Sequence, residues 1–193
     1  MSDKSPEERA RDIFANAVDY HICCDWLTRI KTEQGSPEFR VVGPMFTMAA
    51  FASELFLKSL LVDAGCTGVP VTHDLSKLVS NAPKLLRANL VKRWKQLAPA
   101  IRPKPKIADL GFVEAVQSVA SNFEKWRYRH EVEINARSMK DNGAFLLMMF
   151  LKEFILHRHP DWSDPNRTHY LSAFQFPKRL AAGAFARRKA SDS

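Results

Sequence analysis

The chain has 193 residues, 46% of them hydrophobic and 26% charged, with three cysteines and a net charge of +8. That length suits one domain with a small appendage and a core that needs no staple, and the average apolar content with charge of both signs excludes a disordered body. Three cysteines, two of them adjacent at Cys23 and Cys24, make no disulfide framework and point to a reducing compartment. The start, Met1 to Arg11, is charged and does not read as a secretory signal, and the longest unbroken apolar run, Ala144 to Leu151, is too short to span a bilayer. The expectation is a soluble, cytoplasmic protein with no membrane association.

Ser5-Pro6-Glu7-Glu8 opens the first predicted helix: Ser5 as N-cap, Pro6 at the first helical position and Glu8 closing a capping box. Ala10, Ile13, Phe14, Ala17, His21, Cys24 and Leu27 then recur in steps of three and four, giving one apolar face to about Lys31. Gln34 to Gly43 reads as a loop, and Pro44 opens a second helix that Gly65 closes. That helix is apolar nearly all round, apart from Glu54 and Lys58, so it should lie at the centre of the fold. Asp74 should cap a third helix from Leu75 to Asn81. Pro83 breaks and restarts the pattern, with Leu85, Leu86, Leu90, Trp94 and Leu97 as the next inward stripe.

Pro99, Pro103 and Pro105, interleaved with Arg102, Lys104 and Lys106, suggest an extended basic connector. From Asp109 a further helix should carry Phe112, Val113, Val116, Val119, Ala120 and Phe123 inward and reach Trp126 and Tyr128. A last core helix should run from Ala144 to Leu156 and stop before Pro160. No alternating strand pattern and no internal repeat are visible. The fold class is therefore all-α, an up-and-down bundle of four to five core helices over residues 1–160, followed by an irregular basic extension over 161–193. Within that extension, Lys178, Arg179, Arg187, Arg188 and Lys189 stand against the single acid Asp192, so half of the net charge lies there. A basic balance permits a polyanion partner through counterion release but does not select one.

Familiar catalytic signatures are missing: no phosphate-cradling glycine loop, no HExxH, no paired CxxC and no G-x-S-x-G elbow. His157 and His159 stand two residues apart, about 200° round a helix, so their imidazoles should not converge on a metal. Cys23 and Cys24 read as small buried hydrophobes. Three segments remain, each placing charge in apolar surroundings: Glu54-Leu55-Phe56-Leu57-Lys58-Ser59-Leu60-Leu61, His73-Asp74-Leu75-Ser76-Lys77-Leu78 and Phe123-Glu124-Lys125-Trp126-Arg127-Tyr128-Arg129-His130-Glu131. Buried charges must be paired, so Glu54 is expected to face Arg127 across two helices, with Lys58 and Glu131 completing a network. The bland reading of that network is that it only fixes helix register.

These three segments, in this order and spacing, resemble the HEPN (higher eukaryotes and prokaryotes nucleotide-binding) domain superfamily. The resemblance covers residues 45–158. It implies a helical bundle, frequent homodimerisation and roles around RNA or nucleotides, often in toxin–antitoxin or other defence systems. Catalytic members resemble one another as metal-independent endoribonucleases with an R-x4-6-H motif at the dimer interface. There histidine serves as general acid and base for attack of the 2′-hydroxyl, and arginine holds the scissile phosphate. Here Arg127 matches the arginine, but Val132, Glu133 and Ile134 stand where the histidine should fall, and His130 follows after only two residues.

The leading expectation is thus a non-catalytic HEPN-like homodimer, without cofactor, that binds RNA, a nucleotide or a partner protein. Its binding residues or buried polar network would come from Glu54, Lys58, His73, Asp74, Trp126, Arg127, Tyr128 and Glu131. The competing readings are a metal-independent endoribonuclease using Arg127 and His130, and a structural protein-interaction module.

Overall fold

The computed structural model describes residues 4–33, 42–101, 111–120 and 143–163. Every regular element among them is helical: α1 (Pro6–Glu33), α2 (Val42–Asp63), α3 (Leu75–Asn81), α4 (Lys84–Ile101), α5 (Phe112–Ala120), α6 (Ala144–Arg158) and a 3-10 turn, Pro160–Trp162. The protein is an all-α helical bundle. The chain divides into two compact units, Met1–Arg158 and His159–Ser193. The described start of the second holds the 3-10 turn, where the His159 ring stacks on Trp162 at 4.0 Å.

Local chemistry sets the helix ends. Ser5 and Glu8 form the reciprocal capping box, with the Ser5 amide donating to Glu8 Oε2 at 2.7 Å and the Glu8 amide to Ser5 Oγ at 3.2 Å. Gly65 ends α2 with a φ of +77°, a left-handed conformation that costs a residue with a Cβ about 1–2 kcal/mol. Its amide donates to the Val62 carbonyl and that of Cys66 to the Leu61 carbonyl, both at 3.0 Å, closing a Schellman motif.

α2 packs against α1, α3 and α6. Ala10 and Ala17 on α1 and Ala49 and Ala52 on α2 are fully buried, letting the two backbones approach closely. Ser59 Oγ donates to the Ala10 carbonyl at 2.8 Å, and Cys24 Sγ to the Met45 carbonyl at 3.5 Å. Late residues of one helix thus meet early residues of the other, so α1 and α2 run antiparallel. The opposite holds for α2 and α6, where Phe46 meets Phe145 and Asp63 pairs with Arg158 at 2.8 Å, so these two run parallel. A second aromatic centre joins α4, α5 and α6, with Trp94 5.0 Å from Phe150 and 5.8 Å from Phe112. α2 includes one segment, Gly43–Asp63, long and apolar enough to cross a membrane by length and composition, and 67% of it is buried in the bundle.

Four details differ from the sequence reading. α2 begins at Val42, so Gly43 and Pro44 lie in its first turn, where proline's missing N–H has no intrahelical role. α4 continues through Pro99 to Ile101. The carbonyl that Pro99 cannot engage belongs to exposed Lys95, within reach of water. Leu85 and Val113 point outward, being 74% and 46% exposed, while Ala98 and Ala115 take inward places. Cys23 is exposed and only Cys24 is buried. Burial, then nearby Asp25 and Cys23, push the Cys24 thiol up to about 12, which keeps it an inert hydrophobe.

Candidate functional site

The chemistry-bearing residues of the first two segments meet at one carboxylate. Glu54 sits on α2 with its side chain only 4% exposed, and both of its oxygens are engaged. Oε1 accepts from Lys58 Nζ, one turn on, at 2.6 Å, and Oε2 lies 3.0 Å from Nδ1 of His73. Lys58 follows Glu54 at i,i+4, the spacing that puts both on one face of the helix. An ionised carboxylate can only accept, so an Nδ1–H of His73 serves it in this arrangement. The bond to His73 places the ring of a residue 19 positions away.

His73 is held from three sides. Phe51, one turn before Glu54, meets its ring edge-on at 6.1 Å, and Phe51 in turn stacks on Tyr20 of α1 at 5.5 Å. Asp74, next in the chain, caps α3 as the sequence indicates, with Oδ1 accepting from the Ser76 amide at 2.9 Å and the Lys77 amide at 3.3 Å. The Asp74 amide donates to Thr72 Oγ1 at 3.1 Å. The loop into α3 is therefore fixed on both sides of the imidazole. The His73 side chain is 60% exposed and that of Lys58 21% exposed. The result is a buried acid presenting two nitrogen groups toward the surface, a geometry that orients donors rather than supplying net charge.

The third segment, with Trp126, Arg127, Tyr128, His130 and Glu131, lies outside the described residues, and so does the expected contact between Glu54 and Arg127. The sequence places His73 beside the Asp74 cap and gives no direct sign of its bond to Glu54. The available signal was a histidine directly before a strong N-cap, following a helix with a single buried acid. His157 lies at the mouth of a hollow with Arg158, Phe154 and α4 residues, while Arg158 is committed to Asp63. Among the described residues, no group of three or more His, Cys, Asp or Glu is placed to hold a metal.

A further buried polar group lies on α1. His21 is 9% exposed, and its Nδ1 finds no hydrogen-bond partner among the described residues. Burial, and then the positive charge of Lys152 on α6, lower its proton affinity, opposed by Asp25. It is a neutral core histidine.

The outer face of α4 carries a charge pattern that no sequence motif marks. This helix carries Lys84, Arg87, Lys92, Arg93 and Lys95 and no acidic residue. Compared with protein-family models, curated proteins and solved structures, the chain has no match.

Proposed function

We propose that the protein is a HEPN-like homodimer that binds RNA, engaging phosphate or ribose without cleaving the chain. The observation that carries this reading is the Glu54 carboxylate, which holds Lys58 of its own motif and, 19 residues on from Glu54, His73 of the second. Motifs that were only leucines at helical spacing would have no reason to place their polar members on one buried acid. A carboxylate that fixes a lysine and an imidazole at the surface supports recognition of a phosphate or a 2′-hydroxyl, both of which need oriented donors. Arg127, from the third motif, would add the missing positive charge. The sequence supports a non-catalytic reading, since Val132, Glu133 and Ile134 occupy the R-x4-6-H positions and none can transfer a proton as histidine does at neutral pH.

Labelled RNA with EDTA present tests the reading. The expected result is binding that weakens with salt, intact RNA after incubation, and about tenfold weaker binding in His73→Ala, the worth of one hydrogen bond of about 1.4 kcal/mol. Cleavage that survives EDTA and disappears in both Arg127→Ala and His130→Ala would replace it with the endoribonuclease. Absence of both binding and cleavage would leave the protein-interaction module. A monomer in sedimentation at micromolar concentration would remove the dimer.

A further inference from the structure

The outer face of α4 is built at an electrostatic cost that no acid among the described residues offsets. Lys84 and Arg87 lie in the first turn, at the positive end of the helix dipole, where cations are disfavoured and acids are the usual occupants. Lys84–Arg87 and Lys92–Lys95 are like-charged pairs at i,i+3, each unfavourable by a few tenths of a kcal/mol. Among the described residues, no carboxylate forms an ion pair with any of these four cations. Elsewhere in the same unit Lys4 pairs with Asp12 and Arg158 with Asp63. The apolar stripe of α4 is buried in the bundle, through Leu86, Leu90, Trp94 and Ala98, so the charged face is what the helix offers to solvent.

That face is open and only slightly indented. A shallow hollow of about 840 Å³ runs over Ala88 and Val91 and is bordered by the four cations. A second, of about 310 Å³, shares Lys92 and Gln96 with it and continues past Asn89 and Arg93 to His157 at the end of α6. From Lys84 to Lys95 the cations extend about 16 Å along the axis, at 1.5 Å per residue.

We infer that this face docks the backbone of double-stranded RNA, an assignment that rests on the RNA-binding reading above and adds a second surface to it. The choice follows from what the face contains and lacks. It has cations for phosphates and two neutral amides for 2′-hydroxyls: Asn89, and Gln96, whose Oε1 already accepts from Arg93 at 3.1 Å and whose NH2 can donate. The aromatic residue of α4, Trp94, is buried, so the helix offers no platform on which single-stranded bases could stack. A duplex needs none, because its bases are already stacked and its wide, shallow minor groove displays 2′-hydroxyls between two lines of phosphate. A second copy of this chain cannot present the same face to it, since like charges would meet.

The test replaces Lys84, Arg87, Lys92 and Lys95 together by glutamine in the full chain and measures binding to a 20-base-pair RNA duplex by fluorescence anisotropy across a salt series. Losing four phosphate contacts should flatten the log–log salt slope by about 3.6 and weaken binding at 0.1 M salt at least tenfold. A variant with arginine at the three lysine positions should keep the wild-type slope. Unchanged affinity and slope in the glutamine variant, with the wild type still binding RNA, would overturn this surface and leave the functional reading intact. Wild-type protein that binds no RNA would overturn both. Equal affinity for a DNA duplex of the same sequence would overturn the assignment to RNA, and displacement of the duplex by polyglutamate at matched charge would overturn nucleic acid as the partner.

Discussion

Charge is handled in two opposite ways in this bundle. At Glu54 an acid is taken out of water and fully answered, with Lys58 on one oxygen and His73 on the other. On α4, four cations stay in water and, among the described residues, no acid answers them. The first arrangement fixes geometry and the second leaves attraction unspent, so removing charge at the two places should have different consequences. Where a charge is paired and buried, deleting one partner strands the other, whereas deleting an exposed, unanswered charge removes only a long-range field.

The largest effect is expected from Lys58→Met. It leaves the Glu54 carboxylate in a nearly closed site with His73 alone, and stability should fall by about 3 kcal/mol, the lower end of the range for breaking a buried pair. Chemical denaturation measures it directly. The sharper form of the comparison is the double variant Glu54→Leu with Lys58→Met, which should recover most of that loss because no charge remains to be stranded. If the double variant were as unstable as the single one, Glu54 would owe its place to packing and not to its pairing.

Asp74→Ala comes next, at about 1 kcal/mol for the loss of an N-cap. Its effect should not stop at α3. Asp74 holds the loop that presents His73, so the variant should also broaden the His73 imidazole signals in NMR, while a lysine-to-glutamine change on α4 should leave them alone.

A comparable but conditional effect belongs to His21. Its folded-state proton affinity is lowered by burial and by Lys152, so above pH 6.5 the group is neutral in both folded and unfolded chains and contributes nothing. Below 6.5 the unfolded chain takes up a proton that the folded one refuses. Stability should then fall with falling pH, by at most about 1.4 kcal/mol per pH unit from this group. His21→Leu should remove that increment, and identical pH profiles in the two proteins between pH 7 and 5 would show that His21 is protonated without cost.

What could be read from the sequence was governed by range. The capping box at Ser5 and Glu8, the Asp74 cap and the Gly65 terminator depend on residues within five positions of one another, and each lies where the sequence places it. The Glu54–Lys58 pair was legible for the same reason. Burial was legible only where one side chain competed for a place. Leu85 and Leu86 are adjacent and about 100° apart round the helix, so the stripe could not claim both, and Leu86 took the core. Pro99 misled because the rule against internal proline is a cost and not a bar, and α4 carries it within its last turn. The bond from Glu54 to His73 was not legible, since it depends on how the turn after Gly65 folds back over α2. The α4 face needed a different signal, the absence of acids over eighteen residues, which a search for motifs passes over.

The smallest expected effect is also the most telling. Replacing Lys84, Arg87, Lys92 and Lys95 by glutamine should leave the melting temperature unchanged or raise it slightly, the stability change staying within about 0.5 kcal/mol. The variant removes two like-charged pairs and two cations from the positive end of the helix dipole, and it breaks no ion pair in the described structure. Differential scanning calorimetry at low salt is the right measurement, because the relief of repulsion should fade as ionic strength rises. A fall of 2 kcal/mol or more would mean that these cations are answered within the fold, and α4 would then belong with Glu54 as a paired site. An unchanged or higher melting point would make the charges dispensable for folding and place their use outside the molecule.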